Sequence, residues 1–156
     1  MNEKNSLGLN ICFKDEKDPI NLFGEWFEEA KKSEINDANA FSLGTTDQNG
    51  FSTVRIILLK SFNKDGFVFY TNLKSSKSIA INENSKISMC FHWKSLLRQV
   101  RIVGSATQVT DQEADEYYKS RPYDSRIGAW ASNQSSILNK RDDLIELINK
   151  YKAKFS

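Results

Sequence analysis

The chain has very little of what builds metal centres and disulfide frameworks. Among its 156 residues there is one histidine, His92, and two cysteines, Cys12 and Cys90. A lone histidine excludes a multi-His metal centre, and its place in the strand-like run KISMCFHW gives a Ser-His-Asp arrangement a poorly placed base. The cysteines stand apart without metal-ligand spacing and read as reduced bystanders. Long apolar runs are also missing: the longest, IILL at 56–59, falls far short of a membrane span. The opening MNEKNSLGLNICFKDEKD has no hydrophobic stretch followed by a small-residue cleavage site, so the expected location is cytoplasmic. No sign of charge dominates, with 22 Lys+Arg against 20 Asp+Glu. No overall field therefore selects nucleic acid or a membrane, and any anion site must be local. Repeats, low-complexity tracts and Pro/Gly linkers are absent, and the length suits a single domain over 1–156 with 1–17 as a flexible arm.

What is present has a clear grammar. In DPINLFGEWFEEAKK, Asp18 serves as a cap and Pro19 fits the first helical turn, while Ile20, Phe23, Trp26, Phe27 and Ala30 share one face. The β-favouring runs of FSLGTTDQNGFSTVRIILLKSFNKDGFVFYTN are separated by Asn-Gly and Asp-Gly, which predicts consecutive hairpins. SSKSIAINEN reads as a short helix. KISMCFHW and RQVRIVGSATQV add two more strands, with Ile87, Met89, Phe91 and Trp93 on one side of the first. Thr110 three residues before Glu113 is a capping-box pattern and predicts a helix over about 111–120. ILNKRDDLIELINKYKAKF reads as a terminal helix, with Leu144, Ile148, Tyr151 and Phe155 at helical spacing. The expected fold is mainly β with flanking helices, a small antiparallel barrel.

The stretch SRPYDSRIGAWASNQSS, 120–136, carries two arginines and five serines around the short apolar patch Ile127–Trp130. Taken singly, a cation at a strand end reaches solvent, Tyr117 is the apolar face of its helix, and Trp130 is core. Taken together the polar residues suggest anion binding. Alternation in STVRIILLK puts Arg55, Ile57 and Leu59 on one face and Val54, Ile56, Leu58 and Lys60 on the other. Lys77 opens a short helix after Ser75 and Ser76, Gln99 lies in a strand, and Arg121 precedes Pro122, which ends its helix there. These donors are enough for two anion sites.

The motifs RIILLK, FYTNLKSSK, RQVRIVGSA and YYKSRPYDSRIGAWASNQSS, in that order and spacing, resemble the pyridoxine (pyridoxamine) 5'-phosphate oxidases from about Asp18 through Ser136. The resemblance implies a homodimer of FMN-binding split antiparallel β-barrels that oxidises a phosphorylated B6 vitamer to pyridoxal 5'-phosphate, with molecular oxygen as acceptor. It implies that FMN is lined by Arg55, Ile56, Ile57, Leu58, Leu59 and Lys60, with Tyr70, Thr71, Ser76, Lys77, Gln99, Gln134 and Ser135 completing the site. Lys60, Tyr117, Arg121 and Ser125 match residues that hold the substrate phosphate. No residue is assigned a catalytic role and no metal is implied, because the cofactor carries the chemistry.

Some family features have no match. Members continue beyond the terminal helix into a segment with an R-x-H-x-R motif over the substrate, and His92 does not correspond to it. Ser76 stands where members often have Arg, and an N-terminal Arg and Tyr have no counterpart in MNEKNSLGLNICF. The competing expectation is therefore an FMN or pyridoxal-phosphate binding protein with little oxidase activity. A single-stranded nucleic-acid binder on a small barrel fits less well, since the cations cluster in two spots where a groove needs a stripe.

Overall fold

The computed structural model describes residues 16–155, so the expected arm at 1–17 lies almost wholly outside the described residues. The chain divides into two compact units. The first comprises the described residues up to Gly44 with Ser52–Phe69 and Ile87–Gly104, and the second comprises Thr45–Phe51, Tyr70–Lys86 and the chain from Ser105 on.

The first unit is built by helix α1 (Pro19–Ser33) and by strands β1 (Ala40–Thr46), β2 (Ser52–Asn63), β3 (Gly66–Phe69), β4 (Lys86–Trp93) and β5 (Arg98–Ser105), whose end residues run over into the second. The strands form one antiparallel sheet in the order β3-β2-β1-β4-β5, half of a split barrel. Asp18 Oδ1 accepts the Ile20 N–H at 2.8 Å and Pro19 follows at the first helical position, so α1 starts where its sequence says it should. Its apolar face buries Phe23, Phe27 and Ala30. Phe23 is the hub, meeting Phe62, Phe67 and Phe91 edge-on at centroid distances of 4.8, 4.9 and 5.2 Å, the arrangement that ring quadrupoles favour. The inward row of β4 is as expected, with Met89, Phe91 and Trp93 buried, and Trp93 Nε1 donates to the Ala38 carbonyl at 2.8 Å. Arg98 is buried too. Its guanidinium meets Glu29 at 2.6 Å and lies 4.7 Å from the Trp26 ring, which ties β5 to α1.

Both predicted glycine turns form. The β2–β3 hairpin closes through Asn63 Oδ1, which accepts from the Asp65 and Gly66 backbone N–H groups. Gly44 lies close to β4: a Cβ there would come within 2.7 Å of the Ser88 hydroxyl, which would have to rotate away. Pairing between β2 and β3 is broken by a bulge between Leu59 and Ser61, which puts Lys60 at the irregularity.

The second unit is helical: α2 (Ser76–Glu83), α3 (Asp111–Ser120), α4 (Tyr123–Ala131) and α5 (Arg141–Lys154). Thr110 accepts the Glu113 N–H at 3.2 Å, as the capping pattern predicts, and α3 ends before Pro122. Three expectations need correction. The stretch 120–136 holds a nine-residue helix, α4, that was not anticipated; its alternation of Arg, Ser and Gly hides a short apolar face made of Ile127 and Ala131. The terminal helix begins at Arg141, leaving Ile137 and Leu138 exposed before it. Trp130 is not core: it is half exposed and packs against Tyr151 and Phe155 of α5 at 5.8 and 5.6 Å. Asp124 and Lys152 pair at 3.1 Å across the same two helices. Among the described residues no helix is long and apolar enough to cross a membrane.

Candidate functional site

In the second unit the predicted residues converge. The loop entering α2 is folded on itself: Ser75 N–H and Ser78 Oγ both donate to the Asn72 carbonyl, at 3.0 and 2.8 Å, and the Ser75 and Ser78 hydroxyls lie 3.2 Å apart. This fixes the first turn of α2, whose cap position has no side-chain cap bond. Ser76 is exposed there and Lys77 is buried. Lys77 Nζ donates to Gln134 Oε1 at 2.9 Å, and Thr71 Oγ1 reaches the same oxygen at 3.4 Å. The Gln134 carbonyl orients the ammonium without neutralising it. Next in the chain, Ser135 has φ +66, a left-handed conformation uncommon outside glycine, within a turn closed by Ser136 N–H on the Asn133 carbonyl. Thr71, Lys77, Gln134 and Ser135 thus form one polar cluster from three separate stretches of sequence. Ser78 and Asn72, which with Ser75 hold it in shape, were not singled out in the sequence; the Ser75/Ser78 spacing of three was the available sign.

A second group sits on α3 and α4. Tyr117 stacks flat on Tyr70, with centroids 3.7 Å apart and planes 4° apart. The Tyr70 hydroxyl donates to Glu113 Oε1 at 3.4 Å. Burial, and then the charge of Glu113 and the bond to it, raise the Tyr70 phenol above its ordinary pKa, so it stays protonated at neutral pH. Arg121 occupies the break between α3 and α4, half-buried, and among the described residues its guanidinium has no hydrogen bond or ion pair. The break is held by the Tyr118 hydroxyl, which donates to the Arg126 carbonyl at 3.1 Å. Ser125 is exposed in the first turn of α4.

The remaining predicted residues belong to the first unit. Arg55 is half-buried, with Nη1 on the Leu43 carbonyl at 3.2 Å and Nη2 on Thr53 Oγ1 at 2.5 Å. Burial lowers its pKa, yet a guanidinium stays charged at neutral pH. Alternation along β2 is as expected from Val54 to Ile57 and is lost at Leu58: Arg55 and Ile57 are half-buried, Leu59 is in the core, and Val54 and Ile56 are exposed. The Leu59 side chain therefore faces the core, and its backbone is bonded to Asn39, the N–H to the Asn39 carbonyl at 2.8 Å and the carbonyl to Asn39 Nδ2 at 2.9 Å. Leu58 is half-buried, and Gln99 is exposed on β5. Lys60 is exposed at the bulge and borders a cleft of about 790 Å³ together with Phe27, Lys31, Glu34, Asp37 and Phe62.

Comparison with known proteins identifies the family and the fold. The family model described as pyridoxamine 5'-phosphate oxidase matches residues 27–148. The chain belongs to the pyridoxamine 5'-phosphate oxidase family. A pyridoxine/pyridoxamine 5'-phosphate oxidase of Pelagibacter ubique is 62% identical over 156 residues, all of this chain and 75% of that protein. In structure, the fold matches PhzG from Burkholderia lata 383, solved in complex with tetrahydrophenazine-1-carboxylic acid, with a TM-score of 0.86 at 24% identity. That match covers 92% of this chain and 71% of PhzG. It also matches a pyridoxamine 5'-phosphate oxidase-related, FMN binding protein from Nostoc punctiforme, with a TM-score of 0.65 at 15% identity over 83% of this chain and 72% of that one. The oxidase family's split-barrel fold, expected from the motifs, is the fold observed.

Proposed function

We propose that this chain oxidises pyridoxine or pyridoxamine 5'-phosphate to pyridoxal 5'-phosphate, with FMN as cofactor and molecular oxygen as final acceptor. The observation that carries the reading is the Lys77–Gln134–Thr71 cluster at the start of α2. A buried ammonium with hydroxyl groups beside it at a helix start belongs to the donor set that a phosphate dianion requires. These residues fit the FMN phosphate, with Ser76 and Ser135 beside them, and Ser76 in place of a cation leaves Lys77 as the main charge. Arg55, Ile56, Ile57, Leu58, Leu59 and Lys60 of β2, with Tyr70 and Gln99, line the rest of the cofactor in this reading. When bound, FMN supplies the two-electron acceptor, and oxygen leaves as hydrogen peroxide.

The second donor group suits the substrate. Arg121 presents a planar guanidinium from a fixed helix break, and Tyr117, Ser125 and Lys60 add hydroxyl and ammonium donors for the vitamer phosphate. These residues bind and orient, so that the reacting carbon is held in place. We further propose a homodimer, supported by the family resemblance and by Val54 and Ile56 of β2, which leave 69% and 64% of their surface exposed. A monomer by light scattering at micromolar concentration would count against it.

The deciding experiment is the visible spectrum of the FMN-reconstituted protein mixed anaerobically with pyridoxine 5'-phosphate. Bleaching of the oxidised-flavin band supports the oxidase. A protein that stays yellow while retaining FMN supports a binding protein on the same fold. Arg121→Ala tests the division of labour: vitamer affinity falls about tenfold or more, the effect of losing one charge-assisted contact, while FMN content is unchanged. Normal vitamer affinity in that variant removes Arg121 from the substrate set.

A further inference from the structure

Glu113 is the third residue of α3, where a capping-box glutamate turns back to the start of its own helix. Its backbone does join the cap, donating to Thr110. Its carboxylate instead accepts the Tyr70 hydroxyl. Tyr117 lies four residues further on, so both side chains project from one side of α3. The helix therefore holds Tyr70 at two points, by its hydroxyl and by its ring face.

These two contacts do different work. Stacking alone fixes the separation of two rings but resists sliding and rotation in their planes only weakly, through a quadrupole preference for an offset. The hydrogen bond at the phenol end, 3.4 Å long, restricts that freedom. With Tyr70 pinned at its hydroxyl, the ring of Tyr117 stacked on it has a fixed register, and its own hydroxyl a fixed direction. Building on the assignment of Tyr117 to the substrate phosphate, we propose that Glu113 is a positioning residue that, through Tyr70, holds the Tyr117 ring in the orientation needed to bind the vitamer phosphate. Glu113 itself touches no ligand in this role. A bare carboxylate beside a phosphate site would oppose binding, and its engagement by a protonated phenol offsets that. Because Tyr70 also stands in the FMN set, one stack links the residues that contact the cofactor with those that contact the substrate.

The test uses FMN-loaded protein and compares Glu113→Ala, Glu113→Gln and Tyr70→Phe with the parent chain. Pyridoxal 5'-phosphate affinity is followed by absorbance titration, FMN content by fluorescence, and the tyrosine stack by near-ultraviolet circular dichroism. Glu113→Ala should weaken pyridoxal 5'-phosphate binding about fivefold, as expected for one modest hydrogen bond, raise KM more than it lowers kcat, and leave FMN content unchanged. It should also diminish the tyrosine dichroism in the absence of any vitamer. Glu113→Gln, which keeps an acceptor oxygen, should recover most of both losses. Tyr70→Phe, which keeps the stack and loses the hydroxyl, should reproduce the loss of vitamer affinity. Parent-like affinity in Glu113→Ala or in Tyr70→Phe overturns the role of Glu113, even if melting temperature falls. If the parent chain retains FMN but binds no pyridoxal 5'-phosphate, the substrate assignment itself fails and this role with it. An unchanged tyrosine dichroism in Glu113→Ala shows that the stack does not depend on Glu113, and overturns the mechanism alone.

Discussion

The two units of this chain hold their shape by opposite means. In the first, Phe23, Phe27, Phe41, Phe91 and Trp93 are all buried and in mutual ring contact, and order comes from apolar packing. In the second, the buried set around the start of α2 is Ser75, Lys77 and Ser78, and order comes from hydrogen bonds. Buried polar groups contribute little net stability, but they fix geometry, because each left unpaired is costly. The contrast suggests a division of tasks in which the aromatic unit supplies most of the stability, and the polar one supplies the phosphate donors Lys77 and Arg121.

The sharpest way to break that comparison is Phe91→Ala. Phe91 is fully buried and touches Phe23, Phe41 and Trp93, so its removal leaves a cavity that the surrounding rings cannot fill. The expected loss is about 3–5 kcal/mol, read from the urea midpoint at unchanged m. A loss under about 1 kcal/mol would mean that the ring cluster is not the main source of stability. Lys77→Ala probes the other side. FMN affinity should fall about 10- to 100-fold, the range for a charge-assisted bond to phosphate, while stability changes less than in Phe91→Ala. Unchanged flavin retention on fluorescence titration would remove Lys77 from the cofactor set.

The same contrast explains what could be read from the sequence. Apolar periodicity announced α1 and the inward row Met89, Phe91 and Trp93, because along α1 and β4 burial and hydrophobicity coincide. In the second unit they do not. Helix α4 was missed because its buried residues, Ile127 and Ala131, are too few to make a period among Arg, Ser and Gly, and its start carries Pro122 in place of a side-chain cap. The polar clusters depend on long-range pairings, Lys77 with Gln134 and Tyr70 with Glu113, that no local pattern encodes. The family motifs supplied Lys77 and Gln134 as members of one set, but not the bond between them. Glu113 was visible as a capping residue, and only the fold shows its carboxylate directed elsewhere.

The smallest expected effect distinguishes the units most finely, because the same device occurs in both. Asp18 caps α1 and Thr110 caps α3, and replacing either with Ala removes one side-chain acceptor from a helix start, worth about 1 kcal/mol. Helix α1 buries Phe23, Phe27 and Ala30, whereas α3 has no buried residue. A helix locked to a core can fray only when that core opens, so Asp18→Ala should lower the global urea midpoint. A helix without that anchor can open by itself, so Thr110→Ala should instead speed amide hydrogen exchange within α3 and barely move the midpoint. Equal shifts in the global midpoint, with no selective exchange in α3, would show that the two units unfold as one cooperative body, and that polar pairing couples the helices of the second unit as firmly as ring packing couples the sheet.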